Sequence, residues 1–291
     1  MLKRRNPQTL LIALLLIALL PNDICARDFH APDERPTEDT PYTLGAHQKQ
    51  LYVGAFGTHL ETVLATLGIA YAPFKIWQIE ANLLHFGAGV FNISTKVTLV
   101  DLKHFGLGLS VGFFWAHGKW LWVLPDWQRK LMQGIDIFLI PIRLIAGVNL
   151  HRRVRLDLVV AYDHVESTGY YSGSRVFFDG YLGARQVFLR PVLRLFLIDR
   201  IDLHVSGKLP MWAQVNTTLD SKVTINPGLE GGVRSAGRKN LSPLFYWMVS
   251  LGMEAEVVRY FYLGLEMSIG PYTQTVYSRQ LSIGFDLKWR F

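Results

Sequence analysis

Asp202-x-His204-x-Ser206 is the nearest approach to a catalytic constellation in this chain of 291 residues. Residues two apart on a strand project from one face about 6.6–7 Å apart. An acid, a base and a hydroxyl in that order have the chemistry of a nucleophilic relay. A second candidate is Asp163-His164-Val165-Glu166 with Ser172 and Ser174 nearby, which has the donor types for a metal or an activated serine. Polar runs of this kind are also ordinary solvated surface. The scattered His85, His104, His117 and His151 show no zinc spacing. A third group is electrostatic. Arg190 and Arg194, with Lys208 on the next segment, form a ladder that would attract anions, and Glu254, Glu256 and Glu266 are its candidate partners. Which of these matters depends on the elements that carry them.

Those elements are strands. In Leu281–Phe291 every odd position is apolar and every even one polar or glycine, the period of a strand with one greasy and one wet face. The greasy face carries Phe285, Leu287, Trp289 and Phe291. Phe105, Leu107, Leu109, Val111, Phe113 and Trp115 alternate with Gly106, Gly108, Ser110, Gly112 and Phe114. Val154–Tyr162, Ile201–Met211, Trp247–Val257 and Phe261–Ile269 repeat the pattern. Such runs reach ten residues or more, with charges and glycines opposite the apolar face. Strands of a soluble sandwich are usually about half as long. The terminal strand resembles the C-terminal signature of bacterial outer-membrane barrels, whose last strand ends in Phe or Trp. That resemblance implies that Phe285, Leu287, Trp289 and Phe291 are read by the barrel-assembly machinery.

The expected fold is an all-β, transmembrane, antiparallel up-and-down barrel of about twelve strands, ten being the alternative. Short links at Ala72–Lys75, Asp101–His104, Asn149–Arg153, Asp199–Arg200 and Val258–Tyr260 alternate with longer ones at Ala116–Gln133, Glu166–Ala184 and Thr217–Pro243. Expected strands are 50–57, 62–72, 76–84, 89–101, 105–116, 134–149, 154–165, 185–198, 201–215, 245–257, 260–270 and 279–291. Aromatic girdles are expected at both ends. Trp289, Phe291, Phe261 and Phe105 belong to one, and Trp115, Trp120, Trp122, Trp127, Trp247 and Phe245 to the other.

Lys3, Arg4 and Arg5 before the apolar run Leu10–Leu20 give residues 1–26 the order of a cleaved signal peptide. Cys25 as a lipid acceptor fits poorly, because Ile24 stands where a small residue is wanted. Cleavage after Ala26 removes the single cysteine, so disulfide, thiolate and Cys–metal chemistry are not expected of the mature chain. The formal net charge of +7 falls to +5 without Lys3, Arg4, Arg5 and Asp23. The basic residues form no patch, which argues against nucleic acid. Residues 27–48, rich in Pro, Asp, Glu and Thr, read as a flexible periplasmic tail or a small plug, and 49–291 as the barrel. Pro41-Tyr42-Thr43-Leu44 and Ile76-Trp77-Gln78-Ile79-Glu80 resemble the opening of a group of uncharacterised bacterial outer-membrane proteins.

The expectation is therefore a passive channel for small hydrophilic solutes in the outer membrane of a Gram-negative cell. It has a mixed-charge lumen, membrane lipids as surroundings, no cofactor, no metal and no catalytic site. One alternative is a closed structural or adhesion barrel that displays its outer loops. Another is a lipid hydrolase using His204 and Ser206, since outer-membrane phospholipases and lipid A deacylases resemble this chain in carrying His-x-Ser on a strand. Here the pair falls on the polar face, near the short-link end, and His-Val-Ser-Gly lacks the Asn that follows the serine in those families.

Overall fold

The computed structural model describes residues 40–58, 62–120, 126, 134–151, 153–172, 176–198, 200–226, 229–240, 247–271 and 279–291. The expected signal peptide, Ser174, and the expected girdle residues Trp122, Trp127 and Phe245 lie outside them. The strands are β1 (Lys49–Thr58), β2 (Thr62–Phe74), β3 (Trp77–Asn82), β4 (Val90–Asp101), β5 (Phe105–His117), β6 (Ile135–His151) and β7 (Val154–Ser172). They continue with β8 (Val176–Ile198), β9 (Ile201–Asn226), β10 (Leu229–Asn240), β11 (Met248–Val258), β12 (Phe261–Pro271) and β13 (Arg279–Arg290).

All strands but β10 form one closed antiparallel ring of twelve. The ring closes where β13 meets β1, with Leu51 opposite Trp289 and Ala55 opposite Phe285. Beyond that register the Lys49 N–H donates to the Phe291 carbonyl at 2.8 Å, and the Phe291 N–H donates back at 2.9 Å. A closed ring leaves no edge and pairs its backbone internally, the condition for a sheet to sit in hydrocarbon.

Two connections and one strand differ from the sequence expectation. The stretches Glu166–Ala184 and Thr217–Pro243 are largely not loops, because β7, β8 and β9 run on to 19, 23 and 26 residues. A tilted span needs about 9–11 residues, so these strands stand well clear of the ring's end. There Gln214–Asn226 of β9 pairs with β10, while Ile201–Lys208 pairs with β11. The expected strand 76–84 stops at Asn82, whose side chain accepts from the Leu84 and His85 N–H groups and caps a short helix, α1 (Leu83–Gly87).

Burial is inverted relative to a soluble protein. Leu99, Leu144, Leu158, Val205, Leu251, Met267 and Ile283 face outward and are exposed, whereas Arg155, Asp157, Arg194, Asp202, Glu254, Glu256 and Arg290 face inward and are buried. Hydrocarbon outside and a polar interior inside account for this pattern; water outside does not. The rings sort into bands. At the short-link end Trp289 and Phe291 lie 5.3 Å apart. At the other end Phe86, Phe91, Phe113, Phe138, Trp115 and Trp120 touch in a chain of rings across α1, β4–β6 and the helical turn Gly118–Trp120 after β5, with centroid separations of 4.7–6.3 Å. On β5, Phe105 and Trp115 are ten residues apart, roughly 34 Å along the strand. Tilted by about 40°, that is roughly 26 Å of height, close to the apolar band of membrane barrels.

The two faces make a direct prediction. Cysteines at Leu265, Met267 and Ile269, which point outward, should resist a water-soluble thiol reagent in reconstituted membranes. Cysteines at Glu266 and Ser250, which point inward, should react wherever the lumen holds water. Equal labelling of both sets contradicts the alternation.

Candidate functional site: the lumen and its plug

The interior is built from the even positions of β8, β9 and β11–β13 and from matching positions on the other strands. Inward glycines receive the bulky side chain opposite: the Tyr52 ring lies over Gly68, His204 over Gly252 and Asp286 over Gly264. Alternating small and large residues narrow the barrel without distorting it.

Chain segment 40–48 enters this interior from the short-link end. Thr40, Pro41, Thr43 and Leu44 are buried. Pro41 presents its carbonyl to Thr98 Oγ1 at 2.9 Å. The Leu44 N–H donates to Gln78 Oε1 at 2.8 Å, and the Thr43 hydroxyl donates to the Lys75 carbonyl. Leu44 packs on Ala70 and Ala72, and the Tyr42 ring lies 4.6 Å from the Arg155 guanidinium, a cation–π contact. Glycines make this fit possible. A Cβ on Gly108 would stand 2.6 Å from the Pro41 carbonyl oxygen and 2.8 Å from its Cα, and one on Gly106 would meet the Pro41 ring at 2.7 Å. His47, with φ of 64°, turns the chain out of the plug into β1. Of the N-terminal segment 27–48, residues 40–48 are the described part, and Thr40–Leu44 are the residues that line the inside of the barrel.

Above the plug lies a buried charge layer. Asp157, wholly enclosed, accepts from Arg155 Nε at 2.8 Å and Arg194 Nε at 3.3 Å, and Arg194 Nη1 lies 4.0 Å from Asp202. Arg290 donates to Gln50 at 3.0 Å and lies over the Tyr262 ring. This layer divides the interior. A cavity of about 490 Å³ at the short-link end is lined by Tyr42, Leu44, Thr98 and Arg290. A cavity of about 610 Å³ beyond it is lined by Arg143, Arg190, Glu266 and Lys288 among others, and the two share no lining residue.

The expected ladder is split by this layering. Arg190 approaches Glu266 at 3.9 Å. Arg194 sits lower, tied to Asp157 and Asp202. Lys208 Nζ lies 4.2 Å over the Phe188 ring. Glu254 binds Lys288 at 2.5 Å rather than an arginine of the ladder, and Glu256 accepts the Tyr260 N–H in the β11–β12 turn. Strand alternation places Asp157, Asp202 and Lys288 on the inward face, and the cross-strand register sets the partners that tie them into the charge layer.

The enzymatic candidates are placed as follows. Asp202 Oδ1 is 3.6 Å from His204 Nδ1, but His204 Nε2 faces Glu266 at 3.9 Å, and Ser206 Oγ accepts from Arg190 at 3.4 Å. Acid and base lie within ion-pair distance but too far apart for a hydrogen bond to each other, and base and hydroxyl are each directed to another partner. Asp163 and His164 point to opposite faces of β7. Asp163 accepts from Gln186 at 2.6 Å, and His164 Nε2 meets Glu166 at 2.9 Å. Among the described residues no three His, Cys, Asp or Glu side chains cluster as metal ligands.

No protein-family model and no curated protein matches the sequence. Solved barrels resemble it at low identity. CdiB from Acinetobacter baumannii is 13% identical over 84% of this chain, which spans 60% of that one, with a TM-score of 0.33. The Ralstonia pickettii toluene transporter TbuX is 9% identical, with coverages of 85% and 90% and a TM-score of 0.38. The NanC porin is 5% identical, with coverages of 83% and 98% and a TM-score of 0.43. Their resemblance goes no further than general barrel form. The present chain is a closed twelve-stranded β-barrel.

Proposed function

We propose that this protein is an outer-membrane channel for small hydrophilic solutes, in a closed arrangement in which Pro41–Leu44 and the charge layer occupy the periplasmic half of the lumen. The observation that carries this reading is the charge-lined cavity of about 610 Å³ inside an apolar-coated ring. The short-link end, where both described chain ends lie, is then periplasmic. The solute path runs past Gly106, Gly108 and Gly147, where the plug now sits. The signal peptide of residues 1–26 would direct export, and the terminal Phe285, Leu287, Trp289 and Phe291 would be read by the assembly machinery.

A display role is favoured by one different feature, the β7–β10 wall that rises beyond the ring. Reversal potentials separate the two readings. A channel should pass a small, weakly selective current, and joint replacement of Arg190 and Lys208 by Gln should shift it toward cations, since fixed charge sets the potential in a constriction. Arg194 is left out because Asp157 holds it. A barrel that passes no ions in either form, plugged or with its N-terminal segment removed, contradicts the channel reading.

A further inference from the structure

The charges lining the larger cavity are sorted by position around the ring. On the half formed by β4–β9 they are Lys96, Arg143, Asp163, Arg190 and Arg194, four cations and one anion, a formal +3. On the half formed by β11–β13 and β1–β3 they are Glu80, Glu254, Glu266, Asp286 and Lys288, four anions and one cation, a formal −3. Among the described lining residues the imidazoles are His204, on β9 at the divide, and His85 of α1. Each set spans one contiguous half of the ring, so the cavity has a cationic wall facing an anionic one. Arg190 of one wall lies 3.9 Å from Glu266 of the other, and the Glu266 and Asp286 side chains keep 33% and 37% of their surface open.

We infer that this cavity is a binding site for small zwitterions carrying a carboxylate and an ammonium group, the carboxylate directed to Arg143 and Arg190 and the ammonium to Glu266 and Asp286. A simple anion gains at one wall and is repelled by the other; a simple cation meets the reverse. A solute with both charges gains at both, and a constricted low-dielectric cavity strengthens each contact. The volume lies within the range of small-molecule sites, about 300–1,000 Å³. The assignment deepens the channel reading by naming its solute class, yet binding does not require conduction.

The test uses three probes of one carbon skeleton, 4-aminobutanoate, butanoate and butylammonium, titrated onto the refolded mature chain in detergent and followed by saturation-transfer NMR. The zwitterion should bind about tenfold more tightly than either ion, the worth of one added charge-assisted contact. Glu266→Gln should weaken 4-aminobutanoate and leave butanoate as tightly bound or tighter, whereas Arg143→Gln should weaken both. Heat-modifiable migration confirms that each variant is folded; Asp286→Asn replaces Glu266→Gln, and Arg190→Gln replaces Arg143→Gln, where the first choice does not fold. Equal binding of butanoate and 4-aminobutanoate, indifference to Glu266→Gln or Asp286→Asn, or no binding of any probe overturns the assignment. Vesicle swelling with the same probes is scored separately. Zwitterion binding without swelling, in the intact chain and in the chain shortened by its N-terminal segment alike, leaves this inference standing and removes the channel.

Discussion

Gly108→Val is expected to expel Pro41–Leu44 from the barrel. The new Cβ would fall 2.6 Å from the Pro41 carbonyl oxygen and 2.8 Å from its Cα, both backbone atoms that cannot rotate away. The β5 backbone cannot retreat either, because it is hydrogen-bonded on both sides to β4 and β6. The segment, held by a few hydrogen bonds, one stacked ring and Leu44, is the part that yields. Leu44 contributes about 2 kcal/mol of burial, comparable to the clash it would have to withstand. A cysteine placed at Thr43, 8% exposed in the native barrel, should change from protected to freely labelled in the Gly108→Val background. The barrel itself should keep its heat-modifiable migration. Protection that persists in the variant would show that the segment is not seated beneath β5.

Asp157→Asn should be the most damaging single change in the interior. Asp157 is wholly enclosed and joins the Arg155 and Arg194 guanidinium groups. Removing its charge sets two buried cations side by side, with the Asp202 carboxylate 4.0 Å from Arg194. Breaking a buried ion pair from one side costs about 3–5 kcal/mol. The unfolding midpoint in denaturant should fall accordingly, with Tyr42 loosened because its ring rests on Arg155. Asp157→Asn at wild-type stability would mean that the layer is hydrated and loose. Lys75 and Asp101, an exposed pair at 3.1 Å, provide the contrast, since surface pairs of that kind contribute about 0–1 kcal/mol.

The barrel was legible in the sequence because lipid enforces a strict rule. Along Phe261–Ile269 and Ile283–Phe291 every second residue must be apolar, and the short links fall where the strands leave the membrane. The rule lapses outside the membrane. Thr217, Thr218, Asp220, Ser221 and Lys222 are polar on both faces, so the continuation of β9 and its pairing with β10 left no periodic trace. Asn82 likewise ended β3 early through a cap that two leucines in succession only hint at. Inward charges were recognisable by parity, but their levels were not. Whether Arg194 meets Asp157 or Glu266 depends on the stagger between strands, which no local pattern encodes. Gly106 and Gly108 read as ordinary polar-face positions, and only the presence of Pro41 against them shows what their missing side chains allow.

Planar-bilayer recordings on the mature chain, with and without the residues up to Gly45, test the central claim most directly. The intact chain should show low, weakly selective conductance, because the plug and charge layer separate the two cavities. The shortened chain, folded to the same heat-modifiable form, should conduct several-fold better as the path past Gly106, Gly108 and Gly147 opens. Identical conductance in the two forms would contradict the claim that the chain closes its own lumen.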